Sequence, residues 1–144
     1  MLPYRFLDYQ IEMVSICGMS ENEISFQIIG AALKLHKILG PGLLESVYEA
    51  TLAYDLKEMG LKVETQLPVP LQYKEIKMEH SFRMDMLVEN KVVVEIKSVE
   101  RLMPIHFSQT LTYLRLTDRK LGLLINFNSV LLKDGVQRVV NQLH

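Results

Sequence analysis

The sequence lacks a second cysteine, so Cys17 has no intramolecular disulfide partner and no cysteine pair exists for a structural zinc site. A reducing, cytoplasmic setting is the expectation that follows. Surplus charge is also missing, since 16 Lys and Arg against 17 Asp and Glu leave a formal net charge of −1. That balance excludes a polycationic coat or a polyacidic tail, but not a local basic strip. No apolar run approaches the roughly 20 residues that span a bilayer; stretches such as 28–33 and 121–125 are as long as they get. Membrane insertion is not expected. Repeats, low-complexity tracts and long Gly/Ser/Pro linkers are missing as well, so the 144 residues read as one domain. Arg5, Asp8 and Glu12 interrupt the moderately apolar start, and residues 1–19 read as a peripheral extension to a domain over 20–144.

What is present is a composition of 49% hydrophobic and 23% charged residues, enough to build a core without metal or disulfide staples. Ser20-Glu21-Asn22-Glu23 has the spacing of a helix capping box. Ile24, Ile28, Ala31, Leu35 and Ile38 then recur at helical spacing up to the break at Gly40-Pro41-Gly42. A second helical pattern runs over 43–59 and stops at Gly60, in the position of a C-terminal cap. Segments 61–66 and 69–73 read as separate extended pieces around Pro68 and Pro70, with a turn at Lys74-Glu75. Segments 82–88 and 92–97 form a hairpin across Glu89-Asn90-Lys91. Pro104 suits the first turn of a helix reaching about Leu116, because its missing N–H is not needed there. A buried strand over 120–127, a turn at Asp134-Gly135 and a closing amphipathic helix carrying Val136, Val139, Val140 and Leu143 complete an α-α-β-β-β-β-α-β-α order. The class is α/β, with a mixed central sheet flanked by helices.

The chemistry lies in the hairpin, because Val92-Val93-Val94-Glu95-Ile96-Lys97 is otherwise an interior strand. Glu95 and Lys97, two apart, share a face. A three-residue loop pairs Val88 with Val92, placing Asp85 opposite Glu95 and Arg83 opposite Lys97, whereas a two-residue turn would face Asp85 away. The three-residue register gathers the charges on one side and leaves Met84, Met86, Val88, Val92, Val94 and Ile96 as an apolar other side. Opposed carboxylates about 5 Å apart repel by roughly 3 kcal/mol at an effective dielectric near 20. Lys97, Arg83, a proton or a metal ion must offset that repulsion, and oxygen ligands of this kind suit Mg²⁺ or Mn²⁺. Lys97, about 6.6 Å beyond Glu95 on the same face, would reach toward whatever the metal holds.

Glu45 lies at helical spacing from Tyr48 and Leu52, so it leans toward the apolar side and is a candidate third carboxylate. Three carboxylates and one ammonium leave two negative charges, matching a divalent cation. His106, Gln109 and Tyr113 share a face of the helix after Pro104 and could line the same cleft. Each feature also has a plainer reading. An isolated Glu-x-Lys is usually a surface ion pair, and a lone helical Glu is usually solvated. Gly40-Pro41-Gly42 imitates part of a dinucleotide fingerprint, but a helix precedes it and Glu45 replaces the third glycine. A P-loop, a G-x-S-x-G elbow and zinc-type histidine spacing are all missing.

Gly42-x-x-Glu45-x-x-Tyr48, Arg83-x-Asp85, Glu95-Ile96-Lys97, Gln109-x-x-x-Tyr113 and the run Gly122-Leu123-Leu124-Ile125-Asn126-Phe127 together resemble the family called GxxExxY proteins, over about residues 20–141. That family is placed in the PD-(D/E)XK nuclease superfamily, of restriction-endonuclease-like fold. The resemblance implies an α-β-β-β-α-β core in which Asp85, Glu95 and the backbone carbonyl of Ile96 bind Mg²⁺ or Mn²⁺. Glu45 would complete the acidic cluster, Lys97 would assist the attacking water, and Gln109 matches a polar residue often found on the following helix. Met84 stands where the superfamily name has Pro. The implied activity is metal-dependent hydrolysis of nucleic-acid phosphodiester bonds, DNA and RNA undetermined. Arg83, Arg101, Arg115, Arg119 and Lys120 are the candidates for phosphate contacts. A catalytically silent binding module for nucleic acid or protein is the alternative, and self-association into a homodimer is compatible with either.

Overall fold

The computed structural model describes residues 18–142, apart from the side chains at 80 and 81. The expected N-terminal extension therefore falls, up to residue 17, outside the described residues, as does Leu143.

Helix α1 (Glu21–Leu39) starts at the expected capping box: the Glu23 amide donates to Ser20 Oγ at 3.2 Å and the Ser20 amide donates to Glu23 Oε2 at 2.9 Å. Ile24, Ile28, Ala31 and Leu35 are buried, but Ile38 is 81% exposed, contrary to expectation. The stripe is centred on residues 28, 32, 35 and 39, so Leu39 turns inward instead. Helix α2 (Glu45–Glu58) buries Tyr48, Leu52, Ala53 and Leu56. It ends as expected at Gly60, whose φ of 87° lets the Gly60 and Leu61 amides donate back to Lys57 and Leu56 carbonyls.

Five strands follow: β1 (Val63–Tyr73), β2 (Ile76–Val88), β3 (Val92–Lys97), β4 (Leu121–Asn126) and β5 (Val136–Val140). They lie side by side in chain order. Helix α3 (Pro104–Leu116) carries the chain from β3 to β4, and these two strands are parallel while all other pairs are antiparallel. The expected α-β-β-β-α-β core is present. Helices α1 and α2 cover one face of the sheet, packing on Met86, Val88, Val92, Val94, Ile96, Leu121, Leu123 and Ile125. On the other face α3 places Tyr113 and Leu114 against Leu87, Val93 and Val139. Gly122 makes that approach close, since a Cβ there would sit 2.9 Å from Thr110 Cγ2.

Two element assignments change. The pieces at 61–66 and 69–73 are one strand, β1, because it lies at the sheet edge, where a proline removes no needed ladder bond. Pro70 sits at the register irregularity between Val69 and Leu71. The closing helix is instead strand β5, pairing Leu121 with Val140 and Ile125 with Val136. Three β-branched valines favour extended backbone, and the otherwise open edge of β4 supplies partners that a lone helical turn would lack. Among the described residues, no helix is long and apolar enough to cross a membrane.

Candidate metal centre

The β2–β3 hairpin has the expected three-residue loop, with Val88 opposite Val92, Leu87 opposite Val93 and Met86 opposite Val94. Glu89 and Asn90 take positive φ values of 52° and 56° to close it. Beyond Met86 and Val94 the ladder stops, and hydrogen bonds between carboxylates and main-chain amides follow it. The Asp85 amide donates to Glu95 Oε1 at 3.1 Å, and the Ile96 amide donates to Asp85 Oδ2 at 2.8 Å. On the other side of β2 the pairing also skips Asp85: Thr65 faces Met86 and Leu67 faces Met84, while the intervening Gln66 has φ 53°. Asp85 thus marks a fork, where β2 leaves β3 and continues with β1 alone.

The fork corrects two expectations. Met84 does not share a side with Met86 and Val88 but packs in the α3 cluster beside Val69 and Leu87. Arg83 is not opposite Lys97; it is exposed and pairs across β1 with Pro68. The cause in both cases is the local break at Gln66 and Asp85, which interrupts the period-two alternation on which the expectation rested.

Glu95 is only 3% exposed. Burial, reinforced by the charge of Asp85, pushes its carboxyl up to about 8. Asp85 is half-buried and also raised, chiefly by burial; the Ile96 amide and Lys97 pull it down, and Glu45 pushes it up. Among the described residues the one ion pair is Lys62 with Glu64 at 3.4 Å, so Lys97 does not close a salt bridge onto either carboxylate. Without a cation, a proton held by Glu95 offsets the repulsion.

Glu45, the first residue of α2, is exposed, and its Oε1 accepts the Ser98 amide at 3.2 Å. It lines a cavity of about 210 Å³ together with Asp85, Ile96, Ser46, Glu49 and Gln66. Glu49 was not anticipated. It lies one helical turn after Glu45, accepts from Gln66 Nε2 at 2.7 Å, and is raised by burial and by Asp85 despite that hydrogen bond. Two carboxylates at i and i+4 repel along a helix, which was the available signal. Asn126, the parallel partner of Lys97, is buried and fixes the chain leaving β3, accepting from the Val99 amide at 3.1 Å and donating to its carbonyl at 2.9 Å.

On α3, Gln109 donates to Tyr113 Oη at 3.0 Å. Tyr113 is buried, and its hydroxyl is raised by burial and then by Glu95. Gln109 is thus linked to the carboxylates through Tyr113. His106 does not join this group, because its Nδ1 accepts the Met103 amide at 2.9 Å and so serves the helix start.

The basic residues are scattered. Arg101 and Arg115 are exposed, and Arg101 lines a separate cavity with Glu100, Asp134 and Gln137. Arg119 is committed elsewhere, its guanidinium donating to Asn90 Oδ1 at 2.6 Å and to the Asn90 and Thr117 carbonyls. Because β3 and β4 are parallel, Lys120 precedes Leu121 beside Val92, at the end of β3 away from Lys97. Five residue steps separate the two ends, about 17 Å. Arg119 and Lys120 therefore lie at the far end of the hairpin from the carboxylates, contrary to expectation.

The donor set is all oxygen, and a buried carboxylate pair that needs a counter-charge fits a hard divalent ion. Among the described residues no three His, Cys, Asp or Glu side chains are grouped as metal ligands. Such an ion would therefore draw on two carboxylates, main-chain carbonyl and water, a set that suits Mg²⁺, which retains several waters. No curated protein and no solved structure matches the chain significantly. The family model of the PD-(D/E)XK nuclease superfamily matches residues 22–139, most of the chain, and the chain belongs to that superfamily.

Proposed function

We propose that this protein is a metal-dependent nuclease of the GxxExxY group that hydrolyses phosphodiester bonds of nucleic acid. The observation that carries the reading is the interlocked Asp85–Glu95 pair at the fork of β2 and β3, with Lys97 two positions after Glu95. Members of the superfamily generally use divalent metals such as Mg²⁺. Asp85, Glu95 and the Ile96 carbonyl would hold Mg²⁺ or Mn²⁺, with Glu45 completing the negative charge across the cavity. When bound, the ion supplies Lewis-acid polarisation of the phosphate and a lowered pKa for water.

The residues of the chain do the rest. Lys97, two positions after Glu95 on the same face, orients the attacking water and stabilises charge gathering on the phosphoryl oxygens. Gln109 fixes the Tyr113 hydroxyl beside Glu95. Glu49, held by Gln66, adds negative potential at the cavity wall. Arg83, Arg101 and Arg115 are exposed and available for backbone phosphates, an electrostatic contribution that carries no sequence preference.

The test is a cleavage panel with Mg²⁺ and Mn²⁺ over single-stranded, double-stranded and branched DNA and RNA. Wild type should cleave at least one substrate, and Lys97→Ala should abolish cleavage while keeping metal binding and most substrate affinity, because Lys97 acts in the transition state. Equal cleavage by Lys97→Ala and wild type would remove Lys97 from the mechanism. No cleavage of any substrate by wild type would overturn the nuclease reading in favour of a silent binding module.

A further inference from the structure

Tyr48 is fully buried, and its ring stacks on Phe127 with centroids 4.5 Å apart and planes 11° from parallel. Packing accounts for the ring but not for the hydroxyl. The hydroxyl donates to the Gly40 carbonyl at 2.6 Å and accepts the Leu43 amide at 3.1 Å, so one oxygen ties together both ends of loop 40–43. Gly40 and Gly42, at φ 70° and 94°, give that loop a backbone path that other residues rarely adopt. No side chain caps the start of α2, where Leu44 occupies the N-cap position.

The same loop is bonded to the end of β3. Ser98 Oγ donates to the Leu43 carbonyl at 2.7 Å, and the Ser98 amide donates to Glu45 Oε1 at 3.2 Å. The carbonyl of the preceding residue, Lys97, accepts the Phe127 amide at 2.9 Å. The contacts close a ring: Tyr48, loop 40–43, Ser98, Lys97, Phe127, and back to Tyr48. Glu45 and Lys97 lie on different elements, linked directly by the Ser98 amide on the Glu45 carboxylate and indirectly by this ring.

We propose that Tyr48 is a positioning residue, whose hydroxyl sets the placement of Glu45 relative to Lys97 through loop 40–43 and Ser98. Tyr48 does not itself reach substrate. The inference rests on the nuclease reading for its catalytic half, since a displacement of about 1 Å at a catalytic group can cost on the order of 10²-fold in rate. Its structural half stands without that reading.

The experiment uses the full chain with Tyr48→Phe, which keeps the ring on Phe127 and removes only the hydroxyl, and Ser98→Ala, which breaks the ring at a half-buried position where failure to fold is not expected. The readouts are kcat and KM with Mn²⁺ on whichever substrate wild type cleaves, and amide exchange at Ser98 and at Leu123 in the central sheet. Either variant should lower kcat by roughly 10–100-fold with KM little changed, by the same displacement argument. The double variant should be no worse than the worse single one, because both act through one circuit. Ser98 exchange should accelerate in Tyr48→Phe while Leu123 exchange does not. Unchanged Ser98 exchange overturns the inference whether or not the protein cleaves anything. Faster exchange everywhere with unchanged kcat assigns Tyr48 to stability alone and also overturns it. If Tyr48→Phe does not fold, Ser98→Ala decides, and an unaltered kcat there overturns the inference. Absence of cleavage by wild type removes the nuclease reading, and the exchange measurement then judges the positioning of Glu45 by itself.

Discussion

Asp85 and Glu95 interlock at the point where the β2–β3 ladder stops: the Asp85 amide donates to the Glu95 carboxylate at 3.1 Å, and the Asp85 carboxylate accepts the Ile96 amide at 2.8 Å. The pair is fixed in place by main chain, not by flexible cations, so its geometry precedes any ligand. Such preorganisation is what a charged site requires if it is not to reorganise during reaction.

The first prediction concerns acidity. Glu95 stands at about 8 in the folded protein against an ordinary 4.5, and Asp85 is raised as well. A raised carboxyl binds its proton more tightly when folded, so its stabilising contribution is complete below the unfolded value and is lost as pH rises through about 8. In the presence of a chelator, the melting temperature of wild type should fall relative to that of Glu95→Gln as pH rises from about 5 to about 9. Parallel pH profiles for the two proteins would show that Glu95 does not hold this proton.

The cation should replace the proton. Mn²⁺ or Mg²⁺ is expected to raise the melting temperature by linkage, and more strongly at pH above 8 than at pH 6, because proton and metal compete for the same carboxylates. Calorimetry with wild type and an Asp85→Ala/Glu95→Ala variant decides the matter. No shift in wild type, or an equal shift in the variant, places the metal elsewhere.

Glu45→Gln retains an oxygen for the Ser98 amide and removes only the charge. Metal affinity should fall by something like 10–100-fold, the range of changes around a metal's immediate ligands. The metal-free protein should be equally or slightly more stable, since a carboxylate that raises Asp85 has been neutralised. An unchanged metal-induced shift in melting temperature would return Glu45 to an ordinary helix surface.

Packing of α3 on the sheet rests on Gly122. Gly122→Ala would place a methyl 2.9 Å from Thr110 Cγ2, and Thr110 is buried and bonded through Oγ1 to the His106 carbonyl at 3.0 Å. Thr110 has little room to yield, so overpacking should cost about 1–3 kcal/mol. Denaturant unfolding should show a lower midpoint with an unchanged slope. A midpoint equal to wild type would mean that α3 shifts freely on the sheet.

The sequence by itself determined what depends on neighbours along the chain. Ser20 and Glu23 marked the start of α1, Gly60 the end of α2, and the length of Glu89-Asn90-Lys91 together with the alternation around it fixed the register that brings Asp85 to Glu95. These are local signals, since capping, helix termination and hairpin register involve residues within a few positions of one another. Only the tertiary structure decided the rest. Met84 changes sides because Gln66, 18 positions earlier in the chain, takes a left-handed backbone on the adjacent strand. Glu49 joins the cavity because that same Gln66 reaches it from β1. Val136–Val140 has the spacing of a helix but becomes strand β5, because the open edge of β4 offers a full ladder. Arg119 and Lys120 lie at the wrong end of the site because β4 runs parallel to β3. In each case the deciding partner is distant in sequence, and a pattern read along one segment carries no record of which backbone will lie beside it.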